Sequence, residues 1–408
     1  MIAKPETPPP QLTYAKRTRH SLPASWMRSG TSKGLFINRS HLPDSIEAWT
    51  PWILAAMGSK CEDPRQLDGI GGATSTTSKV AVVAKSNKPG VDVEYTFAQV
   101  AVGKEKVDYS GNCGNMASGV GPFALEEGLV KAKPGQTHID VRVLNTNTGR
   151  TLVETVAVDE DGCFRDYGDY QMAGVKGTGS EIKVAFVEPA GSMTGKLYPT
   201  GNPEDTIVID APRNGDGPFS VQATLIDVAN PFAIVDALTV PSRYVQGSPE
   251  WLTMVEDIRQ KAAVMMRLAP SVEQAALTRG TPKIMFVSPP NDGNPLSTSP
   301  DINVLAMSMG QIHPSLQLTG AVCLASAACL KGTVAYRYRR REFPEVLSGY
   351  DSSDNSDSDT EPSKTVRISH RSGEISVGVH TCGDRQVEKC IVSRTARKLF
   401  EGNVLFYV

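Results

Sequence analysis

A cysteine stands at the start of a predicted helix, in the stretch SGNCGNMASG at residues 110–119. If the helix begins at about Gly114, its first backbone N–H groups lack helical partners and point toward the Cys113 side chain. The helix dipole there favours an anion, and such a position favours the thiolate. A thiolate could remove a proton from carbon at neutral pH. The alternative, a small buried cysteine, fits less well beside the amides of Asn112 and Asn115.

A lysine ends the Gly- and Thr-rich stretch GIGGATSTTSK at residues 69–79 and opens the apolar run VAVV. At such a junction between loop and strand, Lys79 can reach an anionic substrate, and partial burial would suit it to acid–base catalysis. The stretch is not a phosphate-binding loop, because that motif needs Gly before the lysine and Ser or Thr after it. Here Ser78 precedes and Val80 follows. A solvated lysine at the edge of a strand is the alternative.

Two further stretches, MRSGTSKG at 27–34 and SHRSGEISV at 369–377, combine polar residues with glycine. Arg28 is suited to bidentate recognition of a carboxylate, and backbone amides between small residues can form an anion-binding nest. An ordinary turn explains the first stretch equally well. His313 and His370 are candidate acid–base groups, although a lone histidine is more often a hydrogen-bonded structural residue.

The elements that must position these residues are mostly strands. Short runs rich in β-branched residues recur, and several of them alternate apolar and polar side chains, as half-buried strands do. The clearest runs are 79–85, 91–102, 137–145, 151–158 and 181–187. Helical patterns are fewer and occupy 45–58, about 114–129, 250–267 and about 319–330. The sequence therefore predicts an α+β fold.

The second half of the chain repeats the pattern of the first. The predicted helix after Thr319 resembles the one after Cys113, because both start with polar or glycine residues and continue with small apolar ones. We expect two similar halves, at 24–187 and 188–408, each with one central helix surrounded by strands. The proline-rich residues 1–23 are predicted to be a disordered tail, and the acidic, serine-rich residues 345–364 a disordered insertion.

Composition excludes several classes of protein. The formal net charge of the 408 residues is −2, so no basic field indicates nucleic acid or a membrane surface. No apolar run approaches the roughly 20 residues that cross a bilayer. Seven scattered cysteines without a CxxC pair indicate neither a disulfide framework nor a zinc site. We expect a cytoplasmic protein without a bound metal. A mitochondrial transit peptide is the alternative, but Pro8–Pro10 would interrupt its helix.

Several motifs in a fixed order resemble the PrpF-type isomerases, a family that includes 2-methylaconitate isomerase, methylitaconate Δ-isomerase, 4-oxalomesaconate tautomerase and aconitate Δ-isomerase. The motifs are MRSGTSKG, DGIGGATSTTSKVAVV, SGNCGN, VKGTGSEIKVAFVEPAGSMTGKLYPTG, VQATLIDVANPFAIV and LTGAVCLASAACLKGTV. The resemblance covers about 24–335 and resumes at about 365–400. It implies the diaminopimelate-epimerase-like fold, in which two pseudo-symmetric, strand-rich barrel halves each enclose a central helix and the site lies between them.

The resemblance also implies proton transfer at carbon without a cofactor, with Lys79 and Cys113 lining the substrate. The further positions expected to bind substrate are Arg28, Ser29, Gly30, Thr31, Ser32, Ser78, Asn112, Gly114, Asn115, Met116, Thr319, Gly320, Ser372 and Gly373. Epimerase relatives carry a second thiol at the start of the second central helix, where this chain has LQLTGAV. Cys323 lies one turn further and is expected to be in the core. A symmetric two-thiol racemase is therefore disfavoured.

The resulting expectation is an allylic isomerase of an unsaturated di- or tricarboxylate, either an aconitate Δ-isomerase that converts cis-aconitate to trans-aconitate or an enzyme of the methylaconitate type. Its expected partner is a small polycarboxylate, and the sequence leaves open whether the chain forms a homodimer. Arg371, where relatives usually have proline, leaves the substrate in question. One alternative is a tautomerase or cyclisation enzyme that acts on another polyunsaturated acid. The other is a non-catalytic accessory protein of a dehydratase that docks through the basic and acidic residues 337–364.

Overall fold

The computed structural model describes residues 18–210, 217–290, 300–339, 364–382 and 386–408. Its strands are β1 (Arg19–Ser29), β2 (Ser32–Asn38), β3 (Lys79–Lys85), β4 (Val93–Val100), β5 (Val107–Asp108), β6 (His138–Asn145), β7 (Arg150–Ala157), β8 (Tyr170–Gln171), β9 (Thr178–Gly179), β10 (Ile182–Val187), β11 (Asp205–Ile209), β12 (Phe219–Val228), β13 (Asn230–Asp236), β14 (Lys283–Ser288), β15 (Ile302–Ser308), β16 (Gln311–Ile312), β17 (Lys364–His370), β18 (Gly373–Cys382), β19 (Gln386–Arg394) and β20 (Ala396–Tyr407). Its α-helices are α1 (Ile46–Met57), α2 (Gly114–Ala117), α3 (Val120–Glu126), α4 (Pro249–Met265), α5 (Val272–Leu277), α6 (Leu318–Cys329) and α7 (Val334–Tyr338). Short 3-10 helices lie at Arg39–His41, Lys60–Glu62 and Ala237–Thr239.

In the described ranges, 18 of the strands form one continuous sheet. The strand pairings run in the order β20, β1, β2, β3, β4, β6, β7, β10, β19, β18, β17, β15, β14, β13, β12, β11. Strand β5 adds to β4 and β16 adds to β15. The two halves of the sheet therefore meet where β10 pairs with β19.

The two halves repeat the same order of elements. Each has an antiparallel hairpin, β1–β2 or β12–β13, followed by a helix, α1 or α4. A strand parallel to the second hairpin strand comes next, β3 in the first half and β14 in the second. The predicted repeat is thus present in the strand order.

The central helices lie in a single core that spans both halves. Buried side chains of α2, α3 and α6, including Met116, Phe123 and Leu324, pack against apolar residues of the surrounding strands. Helices α1 and α4 cover the other surface of their own halves and form separate clusters around Trp49 and Trp251. Strand side chains alternate between these layers, because successive residues of a strand point to opposite faces.

The chain termini depart from the sequence expectation. The predicted tail extends to residue 23, but β1 already begins at Arg19, where it pairs with Tyr407 of β20. This partner lies almost 400 residues away in the chain, so a local pattern does not indicate the pairing. The sequence assigns the final strand, β20, to the second half. Its pairing with β1 places it instead in the part of the sheet that the first half forms. Residues 1–17 and 340–363 lie outside the described residues, and with them nearly all of the predicted insertion.

The prediction of one continuous helix over about 114–129 is wrong. The structure has two helices there, α2 and α3, which are separated by Ser118 and Gly119. The Ser118 hydroxyl donates to the carbonyl of Asn115, which competes with helix continuation. Gly119 packs so closely on the end of β1 that an added Cβ would lie 2.7 Å from Ser29 Oγ. The strand predicted at 79–85 is confirmed to the residue as β3, and the helix predicted at 319–330 is α6.

Cysteine chemistry and helix length add two observations. All seven cysteines are free thiols, and Cys323 is buried in the core as predicted. Burial raises the pKa of the Cys323 thiol well above its ordinary value. Among the described helices, none has both the length and the apolar character needed to cross a membrane.

Candidate active site

A narrow cavity of about 60 Å³ lies between the two halves. The first half contributes Lys79, Cys113 and Asn115, and the second half contributes Lys283 and Gln317. Lys79 and Lys283 open strands. Cys113 and Gln317 immediately precede the central helices α2 and α6, and Asn115 lies in the first turn of α2. The cavity therefore lies where the first residues of β3 and β14 meet the starts of the central helices α2 and α6.

Cys113 is the residue immediately before α2 and is partly exposed to the cavity. Its backbone carbonyl accepts the first helical bond, from Ala117 N–H at 2.8 Å. The predicted start of the helix at Gly114 is confirmed, although the helix is one turn long and its dipole is correspondingly small. The Cys113 thiol is thus available to a molecule in the cavity.

Lys79 is the first residue of β3 and is only 7% exposed. Its ammonium donates to Gln99 Oε1 at 2.6 Å and lies 5.1 Å from the centre of the Phe97 ring. The Gln99 amide is oriented by its own Nε2, which donates to the carbonyl of Ser78 at 3.0 Å. A charge-assisted hydrogen bond and a cation–π contact both suit a protonated lysine. Lys79 is therefore a fixed positive charge at the wall of the cavity.

Lys283 is a functional candidate that the sequence analysis missed. It opens β14 as Lys79 opens β3, and each strand runs parallel to the second strand of its hairpin. The pKa of Lys283 is lowered to about 8, chiefly by burial; the charge of Cys113 opposes this shift, that of Lys79 adds to it and that of Asp108 opposes it. The signal was present in the sequence as TPKIMFV, the counterpart of TSKVAVV.

Gln317 occupies the position before α6 that corresponds to Cys113 before α2. Its Nε2 donates to the carbonyl of Met307 at 2.6 Å, and its Oε1 is buried at the cavity with no hydrogen-bond partner among the described residues. Asn112 Oδ1 and Ser110 Oγ, also at the cavity wall, are likewise buried and unpartnered within the described part of the chain. Buried polar atoms without partners are costly, so these three atoms are suited to hydrogen bonds with a ligand.

His313 also lines the cavity and is neutral at physiological pH. Its Nδ1 accepts from the backbone N–H of Ser315 at 3.0 Å, so the ring proton lies on Nε2. Burial lowers the pKa of His313 to about 4. His370 repeats this arrangement with Ser372 N–H at 3.2 Å, and burial lowers its pKa to about 4 as well. His370 lines a second cavity beside the first.

The structure brings only part of the predicted substrate-binding set to the cavity. The residues that line it are Ser32, Lys79, Asn112, Cys113, Gly114, Asn115 and Thr319. Five others, Ser29, Gly30, Ser78, Met116 and Gly320, are buried and do not line it. Ser29 donates to the carbonyl of Asn115, and Ser78 donates to Gln66 Oε1 at 2.7 Å, so both hydroxyls are used inside the protein.

The remaining predicted positions also lie outside the first cavity. Arg28 donates to the backbone carbonyls of Gly30 and Thr395, so its guanidinium supports the loop after β1. Thr31 lines the second cavity and accepts from Asn115 Nδ2 at 3.0 Å. Ser372 is exposed and donates to the carbonyl of Pro314, and Gly373 follows it at the start of β18. Thr31 therefore connects the predicted set to the neighbouring cavity.

Comparison with known proteins gives consistent matches over nearly the whole chain. Residues 19–407 match the family described as PrpF protein. The chain is 37% identical to 3-methylitaconate isomerase of Eubacterium barkeri, over 94% of this chain and 96% of that one. It is 34% identical to 2-methyl-aconitate isomerase of Shewanella oneidensis, over 97% of each.

The fold comparison agrees. The crystal structure of methylitaconate-delta-isomerase superposes with a TM-score of 0.69 at 35% identity, covering 96% of both chains. The strand-rich halves and the shared strand order fit this likeness, and the relatives are isomerases by name. The chain therefore belongs to the PrpF family and is an isomerase with the diaminopimelate-epimerase-like fold.

Proposed function

We propose that this protein is a cofactor-independent allylic isomerase of an unsaturated tricarboxylate, and that it converts cis-aconitate to trans-aconitate. The observation that carries the proposal is the presence of Cys113, Lys79 and Lys283 at one cavity between the halves. A nucleophilic thiol and two cations fit a substrate that is anionic and loses a proton from carbon. The relatives named for methylitaconate and methylaconitate support the same class of substrate.

The contacts of Lys79 favour Cys113 as the base. Lys79 is held by Gln99 and the Phe97 ring in a way that suits a charged ammonium, which cannot accept a proton. The Cys113 thiol lies at the cavity without a competing hydrogen bond among the described residues. In this proposal the Cys113 thiolate takes the proton, and Lys79 holds the carboxylate on which negative charge develops.

The proton balance of the reaction needs no co-reactant. The thiolate removes a proton from the methylene carbon γ to a carboxylate, and the C–H electron pair enters the conjugated system as a dienolate. The thiol then returns a proton to the former α carbon, so the double bond moves by one position. The methylene and vinylic carbons of aconitate exchange roles in this shift, so the product has the same bond connectivity as the substrate. A rotation of the dienolate before reprotonation therefore appears as a change from cis to trans.

A second candidate, a keto–enol tautomerase, is favoured by one observation. Gln317 Oε1 is a buried acceptor with no partner in the ranges that the structure describes, and its orientation is fixed by the bond from Nε2 to Met307. A hydroxyl or enol of the substrate would satisfy it, whereas a carboxylate would not. An oxalomesaconate-type substrate carries such a group, so it belongs in the same assay.

Proton NMR in D₂O tests the proposal directly. Wild-type protein is added to cis-aconitate, and formation of trans-aconitate with solvent deuterium is followed. Lys79→Ala and Cys113→Ser are expected to lower turnover about 100-fold or more, in line with loss of a positioned acid–base group. The matched controls are Lys85→Ala, an exposed lysine at the other end of β3, and Cys163→Ser, an exposed free thiol. Both controls are expected to keep wild-type turnover.

Each other outcome has a defined meaning. Absence of conversion by the wild type contradicts the aconitate assignment, and methylaconitate, methylitaconate and oxalomesaconate are then assayed in the same way. Turnover that survives both Lys79→Ala and Cys113→Ser contradicts the proposed site. Loss of turnover in Lys79→Ala alone would reverse the roles and make Lys79 the base.

A further inference from the structure

A second cavity, of about 210 Å³, adjoins the first and contains a buried arginine. We call it the Arg394 cavity; its polar wall includes Thr31, Tyr170, Ser315, His370 and Arg394. Asn115 separates it from the first cavity, because Asn115 lines the first cavity while its amide bonds to Thr31 and Arg394. The two cavities are thus one residue apart.

Arg394 is a buried cation with no counter-charge in the described part of the chain. It ends β19, is 5% exposed, and donates to Asn115 Oδ1 at 3.3 Å and to the carbonyl of Ser393 at 2.9 Å. Neither acceptor is charged. Burial lowers the pKa of Arg394 to about 10, a sign of how poorly its charge is compensated. A buried charge without a partner is costly, so the site has a strong requirement for an anion.

The neighbouring groups can donate hydrogen bonds to that anion. Thr31 Oγ1 accepts from Asn115, which leaves its hydroxyl proton available. His370 accepts on Nδ1 from Ser372, so its proton lies on Nε2. The hydroxyl of Ser315 is a third donor at the wall.

Two carboxylates lie near this cavity, but neither neutralises Arg394. Glu374 lines the cavity and is exposed, and Glu181 accepts from the Ser393 hydroxyl at 2.5 Å. Neither forms an ion pair with Arg394 within the described residues. The cavity therefore offers one unneutralised guanidinium with uncharged donors around it.

We propose that the Arg394 cavity binds a carboxylate. The planar guanidinium presents its donors in a fork that matches the two oxygens of that group. The carboxylate is either the most distant carboxylate of a substrate that extends past Asn115, or a separate small carboxylate beside the substrate. The inference rests on the burial and contacts of Arg394, so it stands independently of the isomerase reaction.

Calorimetric titration with propane-1,2,3-tricarboxylate tests this site. The probe is saturated, so it has no double bond to shift and binding is measured without turnover. Arg394→Gln is compared with wild type and with Arg397→Gln, which removes an exposed arginine of β20 that lies 3.9 Å from Asp166. We expect Arg394→Gln to weaken binding about 10- to 100-fold, the range of one charge-assisted hydrogen-bonded contact. Arg397→Gln is expected to bind as wild type.

Stoichiometry distinguishes the two sources of the carboxylate. If one tricarboxylate reaches both cavities, one molecule binds per chain, and Arg394→Gln and Lys79→Met each weaken the same event. If the carboxylate is separate, two molecules bind, and each substitution removes a different one. Either pattern supports the carboxylate site, and it does so even if aconitate is not isomerised.

Two further results would overturn the proposal. Wild-type affinity in a folded Arg394→Gln protein contradicts a carboxylate site. A lowered melting temperature with unchanged affinity would give Arg394 a purely structural role through Asn115 and Ser393. If Arg394→Gln does not fold, Arg394→Lys keeps the charge but loses the fork; we expect it to bind at least threefold more weakly, and wild-type affinity there contradicts the proposal.

Discussion

The two lysines of the first cavity differ in environment although they open equivalent strands. Lys79 is held by Gln99 and Phe97, whereas Lys283 has one long bond, of 3.4 Å, to the carbonyl of Gly280. The pKa of Lys283 is lowered to about 8 by burial and by the charge of Lys79. Lys283 is therefore a cation whose charge changes with pH in the working range of an enzyme.

Loss of the Lys283 charge predicts weaker substrate binding at alkaline pH. The amine loses its charge progressively as pH rises through about 8, so KM for a tricarboxylate is expected to rise as pH increases from 7 to 9. Lys283→Arg keeps its charge, so the alkaline rise in KM (the alkaline limb of the profile) is expected to move to a pH at least one unit higher. Lys283→Met is expected to raise KM about tenfold at pH 7 and to flatten the limb, since one charge-assisted contact is lost.

The measurement is kcat and KM for the wild type and both variants between pH 6 and 10. Lys85→Met, at the exposed end of β3, is the control and is expected to follow the wild-type profile. An alkaline limb that stays at the same pH in Lys283→Arg would contradict the assignment to Lys283.

At the scale of elements, sequence pattern succeeds where a strand or helix is determined by its own residues. The apolar, β-branched run KVAVVAK predicts β3 to the residue, and Ser45 and Gly58 mark the ends of α1 as N-cap and left-handed C-cap. Sequence pattern fails where contacts with distant segments of the chain determine where an element begins or ends. The break after α2 depends on the contact between Gly119 and Ser29, and the start of β1 depends on β20.

The same distinction applies to the site. Cys113 and Lys79 can be found because each stands out in its own stretch of sequence. Lys283 requires the alignment of β14 with β3, and Gln317 requires the equivalence of the helix starts. Arg394 has no local signal, because its significance is the absence of a counter-charge in three dimensions. The Arg28 prediction shows the reverse case, a suggestive motif whose guanidinium bonds only to backbone carbonyls.

The starts of the two central helices meet at Gly114, and this contact predicts a sensitive position. A Cβ added to Gly114 would lie 2.9 Å from the Cβ of Leu318, a backbone-anchored atom that cannot rotate away. Gly114→Ala is therefore expected to separate α2 from α6 and to cost about 1–3 kcal/mol of unfolding free energy, the range for overpacked cores. Because Cys113 and Gln317 precede these helices, kcat is expected to fall about tenfold or more.

Urea unfolding and steady-state kinetics measure these two effects. Gly217→Ala is the matched control, since a Cβ there would meet nothing within 4 Å. Its unfolding free energy and kcat are expected to match the wild type. A fully stable and active Gly114→Ala protein would mean that the helix starts are not in firm contact.

At the scale of the whole molecule, the two halves are interlocked rather than joined in series. The last strand of the chain, β20, pairs with β1 of the first half, and β10 of the first half pairs with β19 of the second. The central helices share one core. Opening either half would expose strands of the other, so a single cooperative unfolding transition is expected, and a local change in charge acts on the stability of the entire fold.

That coupling predicts a histidine-dependent loss of stability in acid. The pKa values of His313 and His370 are lowered to about 4 by burial, whereas a histidine in the unfolded chain titrates near pH 6.5. Between these values the unfolded chain binds more protons, so unfolding becomes more favourable as pH falls from 6.5 to 4. Each histidine is expected to contribute on the order of 2–3 kcal/mol over this range.

Substitution isolates this contribution from that of the carboxylates. Urea unfolding is measured at pH 7.5 and 4.5 for the wild type, His313→Gln and His370→Gln. Each variant is expected to lose less free energy between the two pH values than the wild type, because it has no imidazole to protonate in the unfolded chain. His138→Gln, at an exposed position of β6, is expected to lose as much as the wild type. Equal losses in all four proteins would show that the buried imidazoles do not control acid stability.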